Sequence, residues 1–364
     1  MAHDKLGGAK KAKFDEFYTQ YHDIEKEMNA YIEYERDVFR DKTILLPCDD
    51  PEWSNFTKYF AQNFERLGLK KLISTSYAPD SKPKELNLQL ALFETSSPKF
   101  NESKSRANGK IYTLTRDVNG DRNINVEDLE WEYLKGDGDF RSPEVTALRD
   151  EADIIITNPP FSLFRQFLAW IVEANKSVVI IGNMNAITYK EVFKLIKDSR
   201  LWVGATNFNT GMYFRVPESF VYDATYKFER ERDGVKVNRV PGVCWYTNLD
   251  HGRRHEPLRL MSAADNIKFN KKLKAIAYKK YDNYDAIEVP FTDGIPSDYP
   301  GIMGVPISFL SKYNPDQFEV LGMAASSYDS EVVGIPFKGE KDGRPLVSGK
   351  NTYARIFIKN RMPR

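Results

Sequence analysis

The sequence predicts an α/β fold of the Rossmann-like kind, a mostly parallel sheet flanked by helices. Three observations carry this. Ile154-Ile155-Ile156 and Val178-Val179-Ile180-Ile181 are apolar, β-branched runs without alternation, the pattern of strands covered on both faces. An amphipathic helical pattern follows the first run at once, after Thr157-Asn158-Pro159-Pro160-Phe161. Earlier, Thr43-Ile44-Leu45-Leu46 ends in Pro47-Cys48-Asp49-Asp50-Pro51 and leads into a helical stretch from Ser54 to Leu67. That strand–turn–helix is where such folds place a cofactor.

A chain of 364 residues suits two domains, or one large enzyme domain with an appendage. At 41% hydrophobic and 29% charged residues it has the composition of a soluble protein with a sizeable core. No apolar run reaches the length of a membrane span and the N-terminal stretch lacks a signal-peptide core, so the expected location is cytoplasmic. Cys48 and Cys244 stand in strand-like apolar surroundings and are expected to be reduced core residues. His3, His22, His251 and His255 do not group with them at metal-ligand spacing, so no metal site is expected.

The net charge of +1 hides an asymmetry. Residues 251–364 carry 18 Lys and Arg against 13 Asp and Glu, which leaves 35 against 39 for residues 1–250. A catalytic part joined to a part that meets phosphates has this distribution. The expected division is a flexible basic tail over 1–13, a catalytic domain over 14–250 with a loop and hairpin insertion at 78–132, and a recognition region over 251–364.

In chain order, Asp15 to Tyr34 has helical character, with aromatics and aliphatics spaced to one face. Ser54 is the expected N-cap of the next helix and Gly68 its C-terminal cap. Lys71 to Tyr77 reads as a second strand. Asp117 to Asp128 has oxygen-bearing residues at alternate positions, as calcium loops do. The sixth position is Arg122 where such loops have glycine, so Asn119-Gly120 reads as a hairpin turn. A strand-like Trp131–Leu134 precedes Gly136-Asp137-Gly138-Asp139-Phe140. Beyond the central loop come a strand ending at Asn183, a helix from Tyr189 to Ser199, and a strand at Leu201–Gly204. Met212–Val216 and Val243–Asn248 are expected to form the antiparallel edge that closes the fold. Glu229–Gly234 reads as a solvated hairpin tip. Arg253-Arg254 and the lysine-rich stretch Lys268–Lys280, interleaved with Tyr278, Tyr281 and Tyr284, suit a nucleic-acid surface or simple solvation equally.

The Asn158-Pro159-Pro160-Phe161 loop suits one chemistry. Two prolines force a stiff, extended turn at the carboxyl end of a buried strand, where open α/β sheets bind ligands. An exocyclic amine on a purine is a poor nucleophile because its lone pair is delocalised. The Asn158 amide oxygen and a proline-flanked backbone carbonyl can accept its two N–H bonds, and Phe161 offers a flat face for the base. Such catalysis rests on positioning rather than on a strong base.

Asn158-Pro159-Pro160-Phe161 resembles the catalytic tetrapeptide of S-adenosylmethionine-dependent amino-methyltransferases. With Asp15-Glu16-Phe17-Tyr18-Thr19-Gln20-Tyr21 and Gly136-Asp137-Gly138-Asp139-Phe140-Arg141-Ser142 before it, the chain resembles adenine-specific DNA methyltransferases of the EcoRI-methylase type. The resemblance implies a Rossmann-like methyltransferase fold with a C-terminal target-recognition region, and methyl transfer from S-adenosyl-L-methionine to the N6 amine of adenine in double-stranded DNA. The base would be flipped out of the duplex. It places Asn158, Pro159, Pro160 and Phe161 at the reacting amine, and Phe17, Tyr18 and Thr19 at the methionine end of the cofactor. Cys48, Asp49, Asp50 and Pro51 would form the cofactor turn, and Asp139 and Phe140 would meet its adenine. It also implies a modification enzyme, either alone or beside a companion restriction endonuclease acting on the same site, with no obligate protein partner. Amine acceptors in RNA or a protein glutamine amide are the near alternative. A non-catalytic binding protein on the same fold is the distant one.

Overall fold

The computed structural model describes residues 18–49, 54–78, 97–216, 218, 220–273, 277–326, 329–339 and 342–363. The chain divides into two compact units, residues 1–183 with 210–249, and residues 184–209 with 250–364.

The first unit is built on a mixed sheet. β1 is Tyr18–Thr19, β2 Thr43–Leu46, β3 Lys71–Ser76, β4 Lys110–Leu114, β5 Glu130–Tyr133, β6 Ile154–Thr157 and β7 Ser177–Asn183. Helices α1 (Tyr21–Tyr34), α2 (Asn55–Gln62), α3 (Pro143–Glu151) and α4 (Phe164–Glu173) accompany them. The large sheet runs β5-β4-β3-β2-β6-β7 and then Val243–Thr247. β3, β2, β6 and β7 are mutually parallel, whereas β4, β5 and Val243–Thr247 are antiparallel to their neighbours. Every residue of β2 and β6 is buried, as expected for strands covered on both faces. β2 lies between β3 and β6, so the chain's order reverses across the β2–β6 gap. Such a switch point opens a crevice at the carboxyl ends of the strands.

Local chemistry sets the boundaries. Ser54 caps α2, its hydroxyl accepting from the Phe56 amide at 3.1 Å. The helical stretch breaks at Asn63 and resumes as the turn Phe64–Leu67, which Gly68 ends in a left-handed conformation with φ +64°. Ser142 caps α3 and Pro143 opens it. Ile24, Met28, Tyr31, Phe56 and Phe60 share one core cluster with Ile44, Ile154, Ile156 and Trp245.

Several expectations change. Among the described residues before Tyr34, Tyr18–Thr19 form a strand and the helix starts at Tyr21. The strand Met212–Arg215 does not join the closing edge. It pairs with β1 and with Val235–Val240, and Glu231–Arg232 completes this separate four-stranded antiparallel sheet. Between β4 and β5 no tight turn forms at Asn119-Gly120. The Asp117 and Asp128 carboxylates instead gather amides of the connection itself, at 2.6–3.2 Å.

The second unit holds a five-stranded sheet, ordered Lys279–Lys280, Ile287–Glu288, Met303–Pro306, Arg355–Asn360 and Phe318–Ala324. Residues 184–209 cluster here rather than with the preceding strands. The cause is the helix Lys190–Lys197, which packs on Phe318–Ala324 and whose Lys190 meets Asp329 at 2.6 Å. No helix among the described residues is long and apolar enough to cross a membrane, and no group of three His, Cys, Asp or Glu is placed to hold a metal ion.

Candidate active site

The carboxyl ends of β2, β3 and β6 bring three of the sequence-predicted blocks together. After β2, Asp49 is 6% exposed and its amide donates to Thr75 O of β3 at 3.1 Å. Its carboxylate is held by two hydroxyls. Ser54 Oγ donates to Oδ1 at 2.7 Å and Thr157 Oγ1 donates to Oδ2 at 2.5 Å. Its carbonyl accepts from Ser74 Oγ, which also lies 3.0 Å from Thr57 Oγ1. The acid therefore ties the start of α2 to the end of β6 across the switch point. Cys48 is half-buried beside it. Asp50 and Pro51 lie outside the described residues.

Thr157 ends β6 and Asn158 follows it. Asn158 is half-buried, Pro159 buried, and Pro160 and Phe161 half-buried. The two prolines stop the ladder, and the chain passes through a 3₁₀ turn, Phe161–Leu163, before α4 begins. Phe161 packs on the main core cluster. The start of α4 is seated by a close contact. A Cβ at Gly182 of β7 would stand 2.3 Å from Phe164 Cε2, so only glycine lets that ring lie on the sheet. Phe164 also meets the Tyr246 ring at 5.2 Å.

The Gly136–Phe140 loop lies against the end of β3. Gly138 has φ +85°, and a Cβ there would stand 2.3 Å from Ser76 O. The Ala78 amide donates to Asp137 O at 2.7 Å. Asp139 is gripped by Arg141, whose Nη2 lies 2.5 Å from Oδ2 and whose Nε donates to Oδ1 at 2.9 Å. This guanidinium holds the Asp139 carboxyl below the ordinary carboxylate range against the opposing effect of burial. Arg141 Nη1 also donates to Gln166 Oε1 on α4 at 3.1 Å. Phe140 is 4% exposed and packs edge-on against Phe167 and Trp170 of the same helix, at 5.0 and 5.6 Å. Its ring thus fastens the acidic loop to the helix that follows Phe161.

Of the remaining predicted residues, Phe17 lies outside the described ones. Tyr18 and Thr19 pair through their backbones with Arg215 and Phe214. Thr19 O accepts from Asn55 Nδ2 at 2.7 Å, which places this strand beside the start of α2. Thr19 is 3% exposed, and its Oγ1 has no hydrogen-bond partner among the described residues. Sequence reasoning did not single out Thr157, Asn55 or Gly182. A hydroxyl next to Asn158 and an amide next to a capping serine were the only local signals.

Comparison with known proteins shows the family. The family described as "Adenine-specific methyltransferase EcoRI" matches residues 5–361. Type II methyltransferase M.EcoRI of Escherichia coli is 41% identical over 357 residues, covering 98% of this chain and 96% of that protein. Type II methyltransferase M.MpnI of Mycoplasma pneumoniae is 33% identical over 357 residues, covering 97% of each. M.MgeORF184P of Mycoplasma genitalium is 33% identical over 355 residues, covering 96% of this chain and 97% of that one. No solved structure matches. With a Rossmann-like methyltransferase sheet, an NPPF loop at its switch point and relatives aligned over nearly its whole length, the chain belongs to the EcoRI-type adenine-specific methyltransferases.

Proposed function

We propose that this protein methylates the N6 amine of adenine in duplex DNA, with S-adenosylmethionine as donor and the target base flipped out of the helix. The observation that carries the reading is the Thr157–Asp49 hydrogen bond, which couples the turn after β2 to the loop that would hold the amine. The fit of the donor rests on two features: Thr19 offers a buried hydroxyl, and Asp139 offers a carboxylate that Arg141 holds below its ordinary range. When bound, S-adenosylmethionine supplies a methyl group made electrophilic by the positive sulfur beside it.

The chain's own residues do the rest. Asn158 and the Pro159 carbonyl would accept hydrogen bonds from the two amine N–H groups and draw the nitrogen toward tetrahedral geometry. Phe161 would stack on the extruded base, and once the methyl is transferred the nitrogen would release one proton to solvent. Thr19 would lie at the methionine end, Cys48 and Asp49 would form the near side of the cofactor turn, and Asp139 would accept a hydrogen bond from the donor's adenine. Phe140, buried against Phe167 and Trp170, fixes the Asp139 loop to α4. Residues 251–364 would recognise the target, and a companion nuclease of the same specificity is consistent with the Type II names of the relatives.

The test is incubation with methyl-labelled cofactor and duplex DNA, RNA or protein, followed by digestion. Labelled N6-methyladenine from DNA is the expected product. Label confined to RNA or protein would refute the reading.

A further inference from the structure

Apart from Thr19 of β1, one surface of the first unit takes no part in the proposed methyl-transfer site. The small sheet built on β1 carries the strand Met212–Arg215 and a hairpin, Glu231–Arg232 with Val235–Val240, turned at Asp233 (φ +49°) and Gly234 (φ +74°). Over it four rings run in a chain. Phe220 meets Tyr222 at 5.3 Å, Tyr222 meets Tyr226 at 4.8 Å, and Tyr226 meets Phe228 at 5.7 Å. Cations sit on rings of this ribbon. Arg232 lies 3.5 Å from the Tyr213 centroid and Arg239 4.3 Å from Phe228, while Arg230 and Lys236 share Tyr222 at 4.9 and 5.6 Å.

Packing explains part of this. The single Tyr222 O–H is shared between Arg230 O and Val237 O, at 2.9 and 2.8 Å, and Tyr226 OH accepts from the Arg239 amide, so both tyrosines hold the hairpin closed. Packing does not explain why Phe228 is 49% and Val221 87% exposed. Nor does charge pairing explain the cations. Glu229 engages Arg232 at 2.6 Å, but no carboxylate stands at ion-pair distance from Arg230, Lys236 or Arg239 among the described residues. A guanidinium seated on a ring has already lost part of its freedom and hydration, so it meets a phosphate at low entropic cost. Exposed apolar side chains between such cations suit bases or sugars.

We infer that this ribbon is a contact surface for duplex DNA beside the methylated adenine, with Arg230 and Lys236 on phosphates and Phe228 and Val221 against the bases or sugars. Its place follows from β1, which joins the ribbon's sheet to the start of α2 through the Asn55–Thr19 hydrogen bond. The inference rests on DNA being the substrate.

The experiment measures binding of a fluorescent duplex carrying the methylated site, at several salt concentrations, with cofactor binding and melting temperature in parallel. The Arg230→Gln/Lys236→Gln variant should bind DNA on the order of 10-fold more weakly, with a salt slope shallower by about one per lost phosphate contact. The KM for DNA should rise, while cofactor affinity and the single-turnover rate at saturating DNA stay within about twofold. Arg230→Lys should restore most of the binding. Phe228→Ser should weaken binding without changing the slope. A double variant with wild-type affinity and slope overturns the inference, as does loss of both only in Lys268→Gln/Lys271→Gln/Lys272→Gln. If wild-type enzyme methylates RNA or protein but not DNA, the substrate reading itself has failed, and this inference falls with it.

Discussion

Thr157 Oγ1 donates to Asp49 Oδ2 at 2.5 Å, joining the last residue of β6 to the turn after neighbouring β2, 108 residues apart in sequence. Both side chains are buried, so neither can turn to water if the other is lost. The bond spans the switch point, and the loop proposed to hold the amine starts one residue beyond it.

Thr157→Val keeps the shape and removes the donor. Asp49 would retain Ser54 as its other hydroxyl partner. The expected cost is about 1–3 kcal/mol of stability, the usual penalty for stranding a buried acceptor. Because the Asn158 loop would lose its tether to the cofactor turn, kcat should fall more than the KM for DNA rises. Thr157→Ser should recover both. Urea unfolding and single-turnover rates check this, and a Thr157→Val enzyme with unchanged kcat would remove the coupling from the mechanism.

Asn158→Ala deletes the proposed acceptor for the amine. Transfer should drop by about 100-fold or more, in the range seen when one positioned hydrogen-bonding group is lost at a reacting centre. Cofactor affinity should stay within about twofold, since the proposed cofactor turn is formed by other residues. Calorimetric titration of the cofactor and labelled turnover separate the two effects.

Gly182→Ala places a methyl 2.3 Å from Phe164 Cε2 and 2.8 Å from Cζ. The ring must move, and it sits three residues after Phe161. Overpacking of this kind costs about 1–3 kcal/mol. The expected signature is a lowered melting temperature with a reduced kcat, and Gly182→Ala/Phe164→Leu should regain a large part of each. A fully active single variant would show that the α4 seat does not set the loop.

Asp139→Ala should weaken cofactor binding by about 10-fold or more, the scale of a lost hydrogen bond to a charged group. Since Arg141 holds this carboxyl below its ordinary range, the wild-type affinity should stay flat as pH is lowered from 8 toward 5. A cofactor affinity that falls with a midpoint near pH 5 would assign the contact to another group.

The parallel core was legible because Ile154–Ile156 and Val178–Ile181 are buried on both faces, and such runs leave little ambiguity. Ser54 and Gly68 were legible because caps are local chemistry. The hydroxyl pair on Asp49 was not, since its partners come from two different elements. Phe140 carries the same acid–aromatic signal whether its ring meets a cofactor or a neighbouring helix, and only the arrival of Phe167 and Trp170 distinguishes the two. Met212–Arg215 reads as an edge strand, but its partner β1 is only two residues long and gives almost no pattern of its own. The cation–ring ribbon at 220–239 was hidden for a related reason. Its charges alternate along the chain, and only the hairpin sorts the rings beneath the cations.

His251 of the second unit supplies a prediction at acid pH. It is 2% exposed, with Nε2 3.1 Å from Val203 O. Burial pushes its pKa down from the ordinary 6.5 to about 4, against the pull of that carbonyl, and nearby Arg254 acts in the same direction as burial. The folded protein therefore keeps this imidazole neutral, whereas the unfolded chain takes up a proton as pH drops below 6.5. Above that pH the group costs nothing. Between about 6.5 and 4, unfolding should become easier by roughly 1.4 kcal/mol per pH unit from this residue, and below 4 the loss should level off. His251→Gln removes the titration, so its stability should decline less over the same window, even though it starts from a lower value at pH 8. Parallel urea unfolding of the two proteins from pH 8 to pH 4 checks this, and identical slopes would mean that His251 does not titrate as its burial requires.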